Sequence, residues 1–441
     1  MEEKTPGSAH TEDGHEGPRD IEHSHDHDHH GHEDDRHTDI RRRGGFIITG
    51  LTSGHGVFHW FSQSFIALLP EVQAAFALSA VGVGGITATR EFVSGIVTLP
   101  GGVIADALRR YWGLILALCM AVFGVGWLII GFSPNYPVLL FGMGVIAVAA
   151  SLWHLPAMAS LSHHFSHRRG AALSFHGVGG QVGDALAPPV TGLLLGFMAW
   201  QEIISIYAVL PLFLAFLVYW SFRHIGRDSL GRDVATTRSE QWQTTKLVLR
   251  NPVLWLVAFV GGVRGMAFLA LTTFMPIFLN DLGMTPLVRN LHLGLLMAVG
   301  IVSTPIVGYL SDRFGRKVLL VPGLFFLAVL SFFLGASTSG VLLIVIIALM
   351  GTFLFGDQPV LTALALDVAG ENVATTVLGV LSFARFLFAA SSPLIAGAIY
   401  DSRGAGATFI YVAVLFAIAG VVLVFVPVPK TDRQAVTGHH H

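Results

Sequence analysis

The run Gly308-Tyr309-Leu310-Ser311-Asp312-Arg313-Phe314-Gly315-Arg316-Lys317 decides how this chain is read. It closes an apolar stretch, 287–311, and a related run, Gly102-Val103-Ile104-Ala105-Asp106-Ala107-Leu108-Arg109-Arg110, closes another, 79–105. The two stand 206 residues apart and share a glycine, three residues, an aspartate and then a basic cluster. A second correspondence sets Trp153-His154-Leu155-Pro156 over Gly356-Asp357-Gln358-Pro359 at an offset of 203. Self-similarity at a fixed offset marks duplicated halves.

Outward from these runs the composition is that of a chain dissolved in lipid. Of 441 residues, 53% are hydrophobic and 12% charged, mean hydropathy is +0.66, and there are 50 Gly and 32 Phe. Glycine on this scale suits closely packed membrane helices, and a soluble enzyme is excluded. Stretches of about 20 apolar residues, each enough to cross a ~30 Å hydrocarbon core, are expected at twelve places. They are 46–69, 79–105, 112–132, 136–161, 171–198, 201–222, 252–280, 287–311, 318–336, 341–366, 374–400 and 406–428. The expected order is a polar tail (1–45), a six-helix bundle (46–222), a linker (223–250), a second six-helix bundle (251–430) and a short tail (431–441). The polar tail precedes the first stretch without a cleavage site, so that stretch reads as a span and not a signal peptide.

Charge sets the expected orientation. Residues 1–40 hold thirteen acids and three Lys/Arg, within a net charge of −2 for the chain. Beyond residue 40, eighteen Lys/Arg fall on one side of the membrane and two, Arg289 and Arg403, on the other. By the positive-inside rule both termini are expected in the cytoplasm, in a cell (inner) membrane. No basic patch points to nucleic acid. The one cysteine, Cys119, lies in an apolar run and excludes a disulfide framework or a thiolate metal cage.

On these runs the chain resembles the major facilitator superfamily over residues 46–430. The loop signature Gly-x-x-x-Asp-Arg-x-Gly-Arg-Lys is complete at Gly308, Asp312, Arg313, Gly315, Arg316 and Lys317. The first copy keeps Gly102, Asp106 and Arg110 but lacks the Arg after the aspartate and the second Gly. The resemblance implies an all-α integral membrane protein, twelve transmembrane helices in two six-helix pseudo-repeats, not an enzyme and without a cofactor. It also implies that these loops lock the cytoplasmic side shut, with glycine letting helices touch and aspartate accepting hydrogen bonds. A narrower similarity, to fosmidomycin-resistance-type efflux proteins, runs through Trp153-His154-Leu155-Pro156, Arg169-Gly170, Val178-Gly179-Gly180-Gln181-Val182-Gly183 and Leu186-Ala187-Pro188. That pattern has an acid near the position of His154 and a small neutral residue where Asp184 stands, so the substrate does not carry over. Gly183, Ala187-Pro188 and Thr191-Gly192 form a degraded version of an antiporter motif of the superfamily.

Six ionisable residues stand near mid-bilayer: Arg90, Glu91, Asp184, Arg264, Asp357 and Arg385. Each costs roughly 2.5–3.5 kcal/mol there, on the order of 15–20 kcal/mol together, so partners or a wet cavity are required. Spans three, six, nine and twelve hold none, which fits four peripheral helices around a cavity between two repeats. Arg264 is expected first as an anchor for a carboxylate, phosphate or phosphonate, with a structural pair to Asp357 or Asp184 as the alternative. Arg385 has the same two readings. Arg90 and Glu91 are neighbours that diverge by about 100° on a helix, with Arg90 expected to face the cavity. Gln181, Gln358, Gln63 and His176 are neutral donors or acceptors that the sequence leaves unranked.

Protons as coupling ion need a group that titrates as its surroundings dry, and Asp184, Asp357, Glu91 and His154 are the candidates. His55 and His59 lie one turn apart on one helical face. Such a pair can bind a metal or relay a proton; with no third ligand at a recognisable spacing, hydrogen-bonded cavity histidines are expected and no metal centre is assigned. The tail run His23-Ser24-His25-Asp26-His27-Asp28-His29-His30-Gly31-His32 is too polar to fold, and alternating His and Asp chelate divalent metals loosely. The terminal Gly438-His439-His440-His441 is left out of the reading. Together these imply a secondary active transporter, a proton antiporter exporting a small organic anion or drug across a lipid bilayer. The rivals are a divalent metal exporter using His55, His59, His154 and the tail, and a membrane sensor that does not transport.

Overall fold

Side-chain caps set where several helices begin. Ser79 Oγ accepts from the Gly82 N–H at 3.2 Å, Asn135 Oδ1 from Val138 N–H at 3.1 Å, and Asn251 Oδ1 from Val253 N–H at 3.0 Å. Prolines at the first turns of the helices that start at Tyr136, Pro252 and Pro286 lose no intrahelical bond there. At the chain's entry Asp39 accepts from the Arg41 guanidinium at 2.7 Å and from the Arg41 backbone N–H at 3.0 Å. The guanidinium beside it, then the amide, hold its carboxyl down to about 2.

The computed structural model describes residues 39–225, 246, 250–337, 340–369 and 374–427. The His/Asp-rich tail, most of the 223–250 linker and the 431–441 tail lie outside the described residues, as do the surroundings of Gly102 and the side chain of Asp106. The first half comprises α1 (Gly44–Ala67), the short α2 (Leu69–Ala75), α3 (Ala80–Ala107), α4 (Trp112–Gly131), α5 (Tyr136–His164), α6 (Arg169–Leu194) and α7 (Trp200–Phe222). The second comprises α8 (Pro252–Asp281), α9 (Pro286–Phe314), α10 (Arg316–Ala336), α11 (Val341–Leu354), α12 (Asp357–Ala369) and a 52-residue helical segment, Ala374–Phe425. That segment breaks at Gly404, where φ is 77°, into α13 (374–403) and α14 (405–425). The two fold back on each other, since the Ser392 and Tyr411 hydroxyls meet at 3.1 Å.

Eight of these helical segments are long and apolar enough to cross a membrane, the last of them holding both α13 and α14. The three other long helices are α1, α3 and α6. Their polar content has a use, for they carry His55 and His59, Arg90 and Glu91, and His176 and Asp184. With α11 and α12 forming one crossing, the expected twelve spans each have a helical counterpart.

Helices α4, α7, α10 and α14, which have no mid-span charge, pack at the outside as α4 on α7 and α10 on α14. They present Leu118, Val125, Phe213, Phe216, Val329 and Phe332 outward, as lipid requires. Aromatics depart from one expectation. Trp112, Trp127 and Trp200, near span ends, read as membrane-interface anchors, yet all three are buried. Trp127 packs against Phe61, Phe65 and Phe123, so in this half indole area fills the core between α1 and α4.

The halves meet along α3 against α13 and α6 against α9. Their described hydrogen bonds and ion pairs cluster toward the end away from the basic loops. Asp401 at the end of α13 accepts from Ala80 N–H at 2.7 Å and Val81 N–H at 3.0 Å, capping α3 from the other half. Arg289 in α9, fully buried, donates to Glu71 Oε1 at 2.5 Å. Gly84 lies so close to the Pro393 carbonyl that a Cβ would collide with it. At the basic end Arg109 meets His163 and Arg316 meets Asp367, each pair within its own half, and a Cβ at Gly308 would meet nothing within 4 Å.

Candidate functional site

Four histidines gather in the first half. His55 and His59 on α1 face His154 on α5, with one ring nitrogen of each within 4.8 Å of the other two. His176 on α6 stacks on His55, ring centroids 4.1 Å apart and 9° from parallel, and Trp153 stacks behind at 5.9 Å from His176. Glycines of α6 make room: a Cβ at Gly180 would lie 2.8 Å from His55 Cε1 and 3.0 Å from His59 Cδ2. The Gly179-Gly180-Gly183 run thus lets α1 press its imidazoles against α6.

Each of the three converging rings is oriented by its Nδ1. His55 Nδ1 lies 2.9 Å from the His176 carbonyl, His59 Nδ1 2.9 Å from Asp184 Oδ2, and His154 Nδ1 2.6 Å from the Ala150 carbonyl. A carbonyl oxygen only accepts, so His55 and His154 carry their protons on Nδ1, and His59 donates likewise to the carboxylate. Asp184 Oδ1 and both His176 ring nitrogens are buried without a hydrogen-bond partner among the described residues.

The second half holds an ion pair at the corresponding place. Helix α11 ends at Leu354, and Asp357 opens α12, where a helix start favours a carboxylate. Arg264 on α8 grips it twice, Nε to Oδ2 at 2.7 Å and Nη2 to Oδ1 at 2.5 Å. The same guanidinium donates to the Leu354 carbonyl at 2.5 Å and to Gln358 Oε1 at 3.4 Å, and its carbon lies 4.8 Å from the Phe268 ring centre. Four of its five N–H donors are engaged, and Arg264 and Asp357 are 4% and 1% exposed. Expected first as a substrate anchor, Arg264 is held by its alternative partner, because a bidentate pair at a helix start satisfies both charges without solute.

Between the two clusters lie the remaining charges, all half-buried. Arg90 on α3 donates to Ser62 Oγ on α1 at 3.1 Å, while its neighbour Glu91 points across to α13, within electrostatic reach of Arg385. Arg90 and Arg264 also act on Arg385, whose guanidinium lies 4.6 Å from the Phe386 ring centre. Three guanidinium groups from both halves therefore share one region, in which Glu91 acts on Arg385. Gln181 is half-buried on α6.

The loop signature has a local logic. Gly315 ends α9 with φ 104°, a left-handed backbone that favours glycine. Arg316 donates to Asp312, to Ser311 Oγ at 3.0 Å and to Asp367 Oδ2 at 3.1 Å, and Lys317 donates to the Val424 and Val426 carbonyls at 2.6 and 2.9 Å. Arg313 and Arg110 are exposed over the neighbouring rings of Phe314 and Tyr111. Gly308 is expected to let helices touch, but a Cβ there would meet nothing within 4 Å. Sequence reasoning places Arg289 in an outer loop and so misses its buried partners, and it groups His154 with His55 and His59 only in the metal-export alternative. Glu71, two residues past the first apolar stretch, is the one signal in the sequence of a partner for Arg289.

The Major Facilitator Superfamily model matches residues 51–393 and 291–441. The chain belongs to this superfamily. Its members transport solutes across membranes and are not enzymes, so this chain is a multi-pass membrane transporter of that type. A probable hexose phosphate transport protein of Chlamydia trachomatis is 22% identical over 432 residues, 90% of this chain and 93% of the relative. The fosmidomycin resistance protein of Escherichia coli is 24% identical over 287 residues, 64% of this chain and 68% of the relative. In structure the chain is similar to a D-xylose-proton symporter, with a TM-score of 0.70, 17% identity, and 87% and 98% of the two chains covered.

Proposed function

We propose that this transporter moves a small organic anion, of the phosphate, phosphonate or carboxylate class, coupled to protons. The observation that carries the reading is the convergence of Arg90, Arg264 and Arg385 from both halves, of which Asp357 neutralises Arg264 alone. Arg385 and Arg90 then bind the anion from opposite walls of the cleft, and Gln181 and Gln358 complete its hydrogen bonds. Closing the basic end brings the two guanidinium groups together over it, which is the differential contact that alternating access needs. The relative that transports hexose phosphate, by its description, supports the anionic class.

Electrostatics gives the coupling a sign. Glu91 faces Arg385, so a proton on Glu91 removes a competitor for that guanidinium and adds to the positive potential of the cleft. Anion and proton therefore bind together, as in cotransport. The basic end faces the cytoplasm by the positive-inside rule. A second reading, export by proton antiport, is favoured by the similarity to the fosmidomycin resistance protein. Proteoliposomes with a trapped pH dye and a panel of sugar phosphates, phosphonates and carboxylates test both. Anion-driven co-movement of protons, lost in Arg385→Gln, supports the first, and counter-movement supports the second. Flux indifferent to Arg385→Gln and Arg90→Gln rejects the anion site.

A further inference from the structure

The histidine cluster is not used by the anion site, and its geometry is of a different kind. Three imidazoles from α1 and α5 converge, and each sends its Nδ1 proton outward to a fixed oxygen: the His176 carbonyl, the Asp184 carboxylate and the Ala150 carbonyl. In a neutral ring an Nδ1–H bond leaves the lone pair on Nε2, the form in which histidine binds metal. Metal-binding histidines almost always donate their second nitrogen to a carbonyl or carboxylate, which sets the tautomer and the ring plane. Here all three do so in the protein itself.

The geometry points to a binding site for a borderline divalent ion of the Zn²⁺ class, held by His55, His59 and His154 and oriented by Asp184. Zn–N bonds of about 2.0–2.1 Å in a tetrahedron place ligand nitrogens about 3.4 Å apart, so rings whose nitrogens lie within 4.8 Å close by small side-chain rotations. Three histidines leave a fourth position for water from the cleft, on the side where the half-buried His59 opens to it. His176 and Trp153 stack on His55 and fix the plane of its ring. The ion bridges α1 and α5, both in the first half, so it leaves the rocking of one half on the other free. The site is independent of the anion reading, since Arg385 and Arg90 take no part in it.

Cobalt reports the coordination directly, because tetrahedral Co²⁺ absorbs far more strongly in the visible than the octahedral ion a loose polar chelate holds. The purified full-length protein, stripped of metal, is titrated with Co²⁺ and then with Zn²⁺. One equivalent of Co²⁺ giving an intense tetrahedral band that Zn²⁺ displaces is expected. The band disappears in His59→Gln and in His154→Gln and persists in His292→Gln, a half-buried histidine of α9 in the other half. Where a histidine variant melts below wild type without metal, Asp184→Asn keeps all three ligands and is expected to weaken Co²⁺ binding about 10–100-fold. No tetrahedral band in the wild type, a band that survives in both His59→Gln and His154→Gln, or unchanged Co²⁺ affinity in Asp184→Asn overturns the proposal. Anion-coupled proton flux intact in these variants leaves the anion reading standing whichever way this one falls.

Discussion

Two polar clusters occupy corresponding places in the two halves and solve the cost of polarity in lipid differently. In the first half α1 and α5 meet through His55, His59 and His154, rings whose Nδ1 atoms are held by fixed oxygens and whose second nitrogens are left over. In the second half α8 and the α11–α12 crossing meet through Arg264 and Asp357, a fully engaged and nearly inaccessible ion pair. The offset that sets His154 over Asp357 shows the shared origin of the places. Duplicated scaffolds need not keep duplicated chemistry: one copy holds a rigid, self-satisfied joint, and the other keeps open valence facing the cleft.

The comparison breaks first at the ion pair. Asp357→Ala strands the buried Arg264 guanidinium, and a loss of about 3–5 kcal/mol is expected, read as a collapse of thermal unfolding temperature in detergent. Replacing both partners, Arg264→Met with Asp357→Leu, recovers most of that loss, since no charge remains buried. A single variant as stable as wild type would remove the contrast between the halves.

Next in size is Arg385→Gln, outside both clusters. Losing a charged hydrogen-bond partner costs about 2 kcal/mol of solute binding, roughly 30-fold in affinity, with the unfolding temperature little changed. Isothermal titration with a sugar phosphate checks it, and an unaltered affinity returns the anchoring role to Arg264.

On the histidine side, Gly180→Ala puts a methyl group against His55 and His59. About 1–2 kcal/mol of destabilisation is expected from overpacking, together with loss of the tetrahedral Co²⁺ band. The band is the sharper readout, because stability alone does not separate packing from ligand placement.

The smallest effect concerns the tie that closes the far end over both clusters. Glu71→Gln keeps a hydrogen-bond acceptor for Arg289 but removes the charge. A shift of about 1 kcal/mol, roughly fivefold in population toward opening at that end, is expected in spin-label distance distributions across it. An unchanged distribution means the other contacts there, among them the Asp401 cap on α3 and the Gly84–Pro393 approach, hold the end shut.

Much of the site was legible because charge in lipid is conspicuous. Arg90, Glu91, Asp184, Arg264, Asp357 and Arg385 were singled out by that rule alone, and each has a partner or lies near the cleft. The rule names residues without saying who meets whom. It ranked Arg264 first as an anchor because a guanidinium suits an anion, and the same property makes it an equally good partner for Asp357. Tryptophan shows a second limit. Position near a span end suggests an interface anchor, but whether an indole at that height faces lipid or the bundle depends on helix rotation, and Trp127 faces inward.

By itself the sequence determined that this chain lies in a membrane, crosses it as helices, and does so twice over in related halves. Those follow from sums along the chain: hydropathy over a span length, and a loop signature repeated at one offset. Tertiary structure alone decided that His154 completes a trio with His55 and His59, that Arg264 is already paired, and that Arg289 belongs to a buried tie between halves. These depend on contacts between helices far apart in sequence, and a helix's own pattern carries its apolar faces but not the azimuth at which a neighbour will meet them.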